Sequence, residues 1–304
     1  MINIKKSKKT AKRGMHPVAV NYGFRLAYGR FLAILCSMRP SVAGQFHALE
    51  PFLDLFKTGV PILMYHKIGP RPPRVRLRGL YVRPDVLVRQ LDEFHQAGFT
   101  SCRPSEAIAA DHSNGNSVRR VVLTFDDGFR NVFQNALEPL AQKQFHAIQF
   151  LVANCIGKLN EWDLRDGEVP EPLMDVAEVR EWLGAGHRIG SHSLSHPRLT
   201  RLSLRDASEE ISASKKKLED SFGVVVEDFC YPFGDWNEAV RDLVMEAGYR
   251  TACTTDYGVN SPATSPLELR RIAVRHPSRS LKTLKARLMV ALAQPEGERL
   301  NDKC

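Results

Sequence analysis

The sequence predicts an α/β protein built on a mostly parallel sheet, open or closed into a barrel. Three observations lead there. From residue 120 onward, short apolar runs alternate with helix-like stretches at the spacing of β-α units. Polar clusters at 126–128, 191–196 and 230–234 each fall where a predicted strand ends. Parallel α/β folds collect ligand groups at such C-terminal strand ends. Finally, 304 residues at 43% hydrophobic and 25% charged can build a core without disulfide staples.

The elements follow in order. "VPILMYHKIG" (60–69) reads as a buried strand ending at His66 and Gly69, followed by the polar loop "RPPRVRLRG". Residues 83–99 predict an amphipathic helix: Asp85 can cap it, Leu87, Leu91 and Phe94 recur at helical spacing, and Gly98 can end it. "DHSNGNS" (111–117) is a linker loop before a strand at 120–125. Helix at 129–145 and strand at 147–153 come next, then a helix at 174–186 closed by Gly184 and Gly186. "HRIGSHS" is a short strand and loop. A long helix over 203–223 starts at Ser203, a cap candidate. "VEDFCYPFG" is strand and turn, 238–249 a helix, and "TACTT" a strand.

The net charge of +9 comes from one end, because residues 1–49 carry nine Lys or Arg and no acid. The rest is charge-balanced and carries no nucleic-acid motif, which counts against nucleic-acid binding. A solvated terminus is the plain reading of the basic arm; contact with anionic membrane is the alternative. "FLAILCSM" (31–38) is too short to span a bilayer. An interfacial helix over 20–38 competes with a cleaved leader ending at Ser41-Val42-Ala43, against which Arg39 counts. The six cysteines (Cys36, Cys102, Cys155, Cys230, Cys253 and Cys304) show no C-x-x-C pair and read as free thiols. That leans toward a cytoplasmic or membrane-peripheral protein, with export to the envelope as the alternative. The expected organisation is a basic extension over 1–58, a strand–helix segment over 59–117 packed on the main domain, and that domain over 118–304.

Chemistry concentrates in three places. In "SHSLSHP", His192 and His196 stand four apart and can converge on one metal ion. Pro197 disfavours α conformation at His196, so the pair sits on a loop or turn. Asp127 supplies an oxygen ligand, and two His plus a carboxylate leave positions open for water and substrate. A metal so held polarises a carbonyl and acidifies water. A neighbouring carboxylate can then take the water's proton. Alone, the Asp-Asp-Gly is an ordinary turn, and the His pair can equally be one buried and one exposed residue.

Together, "TFDDG" (124–128), "HSLSH" (192–196) and "CYPFG" (230–234) resemble the polysaccharide deacetylase family with the NodB-homology domain. These carbohydrate esterases remove N-acetyl groups from sugars. The resemblance covers about residues 118–276, and "VPILMYHKIG" looks like the segment preceding this domain in many relatives. It implies a distorted (β/α) barrel. It also implies that Asp126 is the catalytic base and that Asp127, His192 and His196 hold one divalent ion, zinc first, with cobalt, nickel or manganese as alternatives. The Phe233 backbone N–H would hold the oxyanion, in a turn shaped by Pro232.

There are departures. Many relatives place an Arg where this chain has Cys230, and Arg270 or Arg271 could supply the guanidinium from another strand. The late general-acid His matches only His276, in "IAVRH", with Asp256 and Tyr257 as its support. His66 could line the same mouth, though packing is the favoured reading, as for His187. Trp236 is the preferred sugar contact over Trp162, and Trp182 reads as core. The expected function is a divalent-metal-dependent hydrolase removing N-acetyl groups from amino sugars in a polysaccharide, oligosaccharide or glycan precursor. A non-catalytic glycan-binding protein on the same scaffold is the alternative, favoured by the missing Arg.

Overall fold

A computed structural model describes residues 45–109, 119–166 and 168–275; the arm over 1–44, the linker over 111–117 and His276 lie outside them. Seven strands form the wall: β1 Val60–Tyr65, β2 Arg120–Phe125, β3 Ala147–Leu151, β4 Arg188–Ser191, β5 Asp228–Cys230, β6 Thr251–Tyr257 and β7 Leu269–Val274. They pair parallel in chain order. β7 then pairs back with β1 through Ile272–Leu63 and Ala273–Met64. The sheet is therefore a closed barrel of the (β/α) kind. A register shift between β6 and β7 distorts it.

Strand residues alternate between two apolar layers, as the two-residue pleat requires. Val60, Ile62, Val122, Ile148, Phe150, Cys230, Cys253 and Leu269 fill the inside of the ring. Leu63, Tyr65, Val121, Leu123 and Phe125 face the helices. Gly190 is required on β4, because a Cβ there would lie 2.5 Å from the Phe150 ring. Carrying the pleat of β2 past Val122 puts Thr124 and Asp126 on the inward face at the C-terminal end.

Among the described residues, five helices of nine residues or more cover the barrel: α1 Pro84–Gln96, α2 Arg130–Gln142, α3 Val176–Gly184, α4 Leu204–Phe222 and α5 Glu238–Glu246. Each buries one stripe, such as Leu87, Leu91 and Phe94 of α1. Ser203 caps α4 by accepting from the Asp206 N–H. Asp85 does not cap α1. Pro84 already takes the first helical position, where its fixed φ and missing N–H suit a helix start. Arg83 is the N-cap and Asp85 pairs with its guanidinium.

The wall does not divide at 117/118: β1 is a full member of the ring, between β7 and β2. Residues 45 and 46 pair parallel with β7, and Phe46 and Phe56 stack with Phe94 beneath α1, with Phe52 tilted against Phe46 and Phe56. Full burial of each such ring is worth roughly 1.5–3 kcal/mol, so residues from 45 on belong to the core. The four cysteines among the described residues are free thiols. No described helix is long and apolar enough to cross a membrane.

Candidate active site

The C-terminal end of β2 carries the two acids. The Asp126 N–H still bonds to the Tyr65 carbonyl, which keeps Asp126 on the strand's inward face. The chain then turns sharply, with φ of 75° at Asp127 and 84° at Gly128. A Cβ at Gly128 would lie 3.0 Å from Leu151, so glycine suits the turn on both counts. This turn separates the carboxylates: Asp126 stays over the barrel axis, and Asp127 swings toward the loop after β4. Ser193 and His196 on that loop, and Phe233 after β5, also have positive φ. Strained non-glycine residues of this kind cluster at functional sites.

His192 and His196 meet Asp127. Their Nε2 atoms lie 3.4 and 3.3 Å from Asp127 Oδ1. His192 Nδ1–H donates to the Cys230 carbonyl at 2.7 Å, which fixes the tautomer and leaves the Nε2 lone pair facing Asp127. His196 is held between the Trp162 ring, stacked at 4.6 Å, and the edge of Phe233 at 4.5 Å. All three residues are buried, and their ligand atoms lie within 4.8 Å of one another. A carboxylate and two imidazoles converging with free lone pairs fit a divalent cation of the zinc class.

Arg271 answers the gap at Cys230. On β7 the pleat puts Arg271 on the same inward face as Leu269, while Arg270 is exposed. Its Nη1 and Nη2 donate to the two oxygens of Asp126 at 2.7 and 2.8 Å, a bidentate fork. Nε donates to the Thr254 carbonyl at 2.7 Å. The small Cys230 side chain leaves room for it, with Sγ 3.2 Å from Nη2. Burial pushes the Asp126 carboxyl up, but Arg271 and His66 outweigh burial and hold its pKa below the usual value.

These groups share a cavity of about 290 Å³ at the C-terminal strand ends. Its wall includes His66, Trp162, Asp163, Arg198, Phe233 and Arg275. His66 Nε2 stands 3.8 Å from Asp126 Oδ2, so His66 faces the site instead of packing in the core. Burial lowers its pKa, against the pull of Asp126 and Asp127. Trp162, not Trp236, lines the cavity; Trp236 stacks on Tyr231 behind it. Trp182 is core, its indole N–H bonded to the Arg188 carbonyl. Asp256 and Tyr257 are exposed and do not line the cavity. A larger cavity of about 480 Å³ opens at the other end of the barrel, beside His187, and touches none of these groups.

Residues 113–252 match the family model described as polysaccharide deacetylase. Over that stretch, a little under half of its length, the chain is similar to the polysaccharide deacetylases. It is 26% identical over 216 residues to the putative polysaccharide deacetylase YxkH of Bacillus subtilis, covering 71% of each chain. It is 24% identical over 194 residues to the peptidoglycan-N-acetylglucosamine deacetylase PgdA of Listeria monocytogenes, covering 63% of this chain and only 36% of that one. Among solved structures, the fold matches the Streptococcus pyogenes deacetylase PplD with a TM-score of 0.60 at 24% identity, over 75% of this chain and 96% of the other. Arg271 lies beyond the stretch that the family model covers, and no motif announces it. The signal available in the sequence is the two-residue alternation from Leu269. His66 lies upstream of that stretch, at the end of β1.

Proposed function

We propose that this protein removes N-acetyl groups from amino sugars in a polysaccharide, oligosaccharide or glycan precursor, with one divalent ion held by Asp127, His192 and His196. One arrangement carries the reading: a carboxylate gripped by a buried guanidinium stands beside three converging ligand atoms in one pocket. Zinc suits the donors best, and cobalt, nickel or manganese are compatible. Such an ion, when bound, polarises the acetamide carbonyl and lowers the pKa of water.

The chain's own residues supply the rest. Asp126 accepts the proton of the attacking water. Arg271 keeps that carboxylate ionised and aimed. The Gly234 and Asp235 N–H groups are tied to the Tyr231 and Pro232 carbonyls; the Phe233 N–H, in the same turn, donates to the carbonyl oxygen as it gains charge. His66 delivers a proton to the departing nitrogen, and is preferred to His276 because it lines the cavity next to Asp126. Trp162 offers a ring face to the sugar. The products are acetate and a free amino sugar. The binding-only alternative rests on the missing guanidinium and on the weak match of the general-acid motif; Arg271 speaks against the first ground.

The test is acetate release from N-acetylated oligosaccharides by wild type and Asp126→Asn, with metal content measured in both. Loss of a general base is worth about 10²–10⁴-fold, so the variant should keep its metal and lose at least about a hundredfold in rate. Full activity with metal bound would sink the assignment.

A further inference from the structure

We propose that the mouth of this pocket is an anion-binding subsite, so that the preferred sugar carries a phosphate or carboxylate close to its acetamido group. The inference deepens the deacetylase reading and rests on it for the chemistry, though not for the binding.

Besides Arg271, which is paired with Asp126, two guanidiniums line the cavity that contains Asp126 and Asp127: those of Arg198 and Arg275. Both residues are exposed. Among the described residues, neither has an acid within ion-pair distance. The Arg198 guanidinium lies 4.3 Å over the Phe233 ring, which fixes its plane and leaves its N–H edges for a ligand. Arg275 packs its stem over Gly79, with Cδ 3.3 Å from where a Cβ would stand, and sits close enough to His66 to push that imidazole's pKa down. Leu77, Gly79 and Leu80 form another part of the wall. Leu77 and Gly79 belong to the stretch "RPPRVRLRG", and Leu80 follows it.

The acids nearby are held by neutral hydrogen-bond donors, away from both guanidiniums. Glu168 takes the Arg76 and Leu77 N–H groups. Asp235 takes the Thr200 hydroxyl at 2.6 Å, and Glu210 the Ser195 hydroxyl at 2.6 Å. Asp163 lines the cavity but bonds to Asn160 at 3.1 Å, and burial together with Asp127 pushes its pKa up to about 6. Of the arginines that line the cavity, Arg271 is taken up by Asp126, and Arg198 and Arg275 are left for a ligand. A neutral sugar would cover these guanidiniums without pairing them. A phosphate or carboxylate pairs with them through charge-assisted, bidentate hydrogen bonds.

The experiment uses two matched pairs of probes: hyaluronan tetrasaccharide against chitotetraose for the carboxylate, and N-acetylglucosamine 1-phosphate against methyl N-acetylglucosaminide for the phosphate. Dissociation constants are measured by calorimetry on Asp126→Asn, and kcat/KM for acetate release on wild type. The charged member of at least one pair should be favoured by about tenfold or more in both readouts, and the pair that shows it identifies the anion. Arg198→Gln and Arg275→Gln should each cut that preference by about threefold or more, mainly through KM, with Lys at either position restoring part of it. A preference near one in both pairs, or one that neither variant moves, overturns the subsite. If no probe yields acetate but the binding preference persists, the deacetylase reading fails and the subsite stands. If both members of each pair bind equally and both release acetate, the subsite fails and the deacetylase reading stands.

Discussion

Replacing Arg271 with Met strands the Asp126 carboxylate at the top of the barrel. Asp126 is 3% exposed and Arg271 1%, so water cannot take the place of the guanidinium. The variant loses two bonds to Asp126 at 2.7 and 2.8 Å and one to the Thr254 carbonyl at 2.7 Å. It also loses contacts of 3.2 Å to the Thr124 hydroxyl and the Cys230 sulfur. Removing one partner of a buried pair costs about 3–5 kcal/mol, against a typical total stability of about 5–15 kcal/mol. Part of that cost is escaped by protonating Asp126. Burial already pushes its pKa up, and Arg271 is the largest influence holding it down. A protonated Asp126 cannot accept a proton from water, so acetate release at neutral pH should fall by about a hundredfold or more. The acid limb of kcat/KM should move to higher pH. Arg271→Lys keeps the charge but not the fork and should fall between. The double variant Asp126→Asn/Arg271→Met carries no stranded charge and should be more stable than Arg271→Met alone. Urea unfolding and a pH–rate profile read all of this. An Arg271→Met protein within about 1 kcal/mol of wild type, with an unmoved acid limb, would refute the reasoning.

Other outcomes follow from the same geometry. His66→Gln should lower kcat by about a hundredfold with little change in KM if it delivers the proton; an unchanged kcat returns that role to another residue. His196→Ala should abolish metal retention, seen by elemental analysis. A chelator should then lower the melting temperature of wild type but not of the variant, because a bound ion stabilises only the folded state. Gly190→Val should cost at least about 1–3 kcal/mol in thermal unfolding, since the added atoms meet the Phe150 ring. His187 supplies a pH test. Burial, then His146, lowers its pKa from 6.5 to about 4. The folded protein therefore binds fewer protons than the unfolded chain between these values, and stability is full above pH 6.5 and lost as pH falls toward 4. The nominal size is about 3 kcal/mol, or about half that after discounting for solvent screening. A His187→Phe protein whose stability falls just as steeply over that window contradicts the assignment.

The acids, the histidine pair and the CYPFG turn are legible in the sequence because each is local. A strand end, a tight turn and a short loop hold their own residues in place, and the sequence displays them whole. The alternation of strands and helices is legible for the same reason. Closure of the ring is not, because the pairing of β7 with β1 joins residues about two hundred apart and leaves no local trace. The sequence narrows the missing guanidinium to two neighbours, and only the pleat of β7 separates the inward Arg271 from the outward Arg270. His66 reads as the end of a buried strand, which it is. That the strand ends over the Asp126 carboxylate is a fact of the ring. Nearness in sequence to the third motif favours Trp236 over Trp162, yet it is not nearness in space: the turn Glu161–Asp166 brings Trp162 onto His196 from a different loop.

Arg271 reaches its partner across 145 residues of chain, and it sits on the strand that seals the ring. A chain that stops short of β7 already contains both acids and both histidines, yet nothing restrains its base. On the proposed reading, competence for chemistry arrives with the final strand. An incomplete or ajar barrel should then be inert, and the first turnover during refolding should mark the moment at which the two ends of the wall meet.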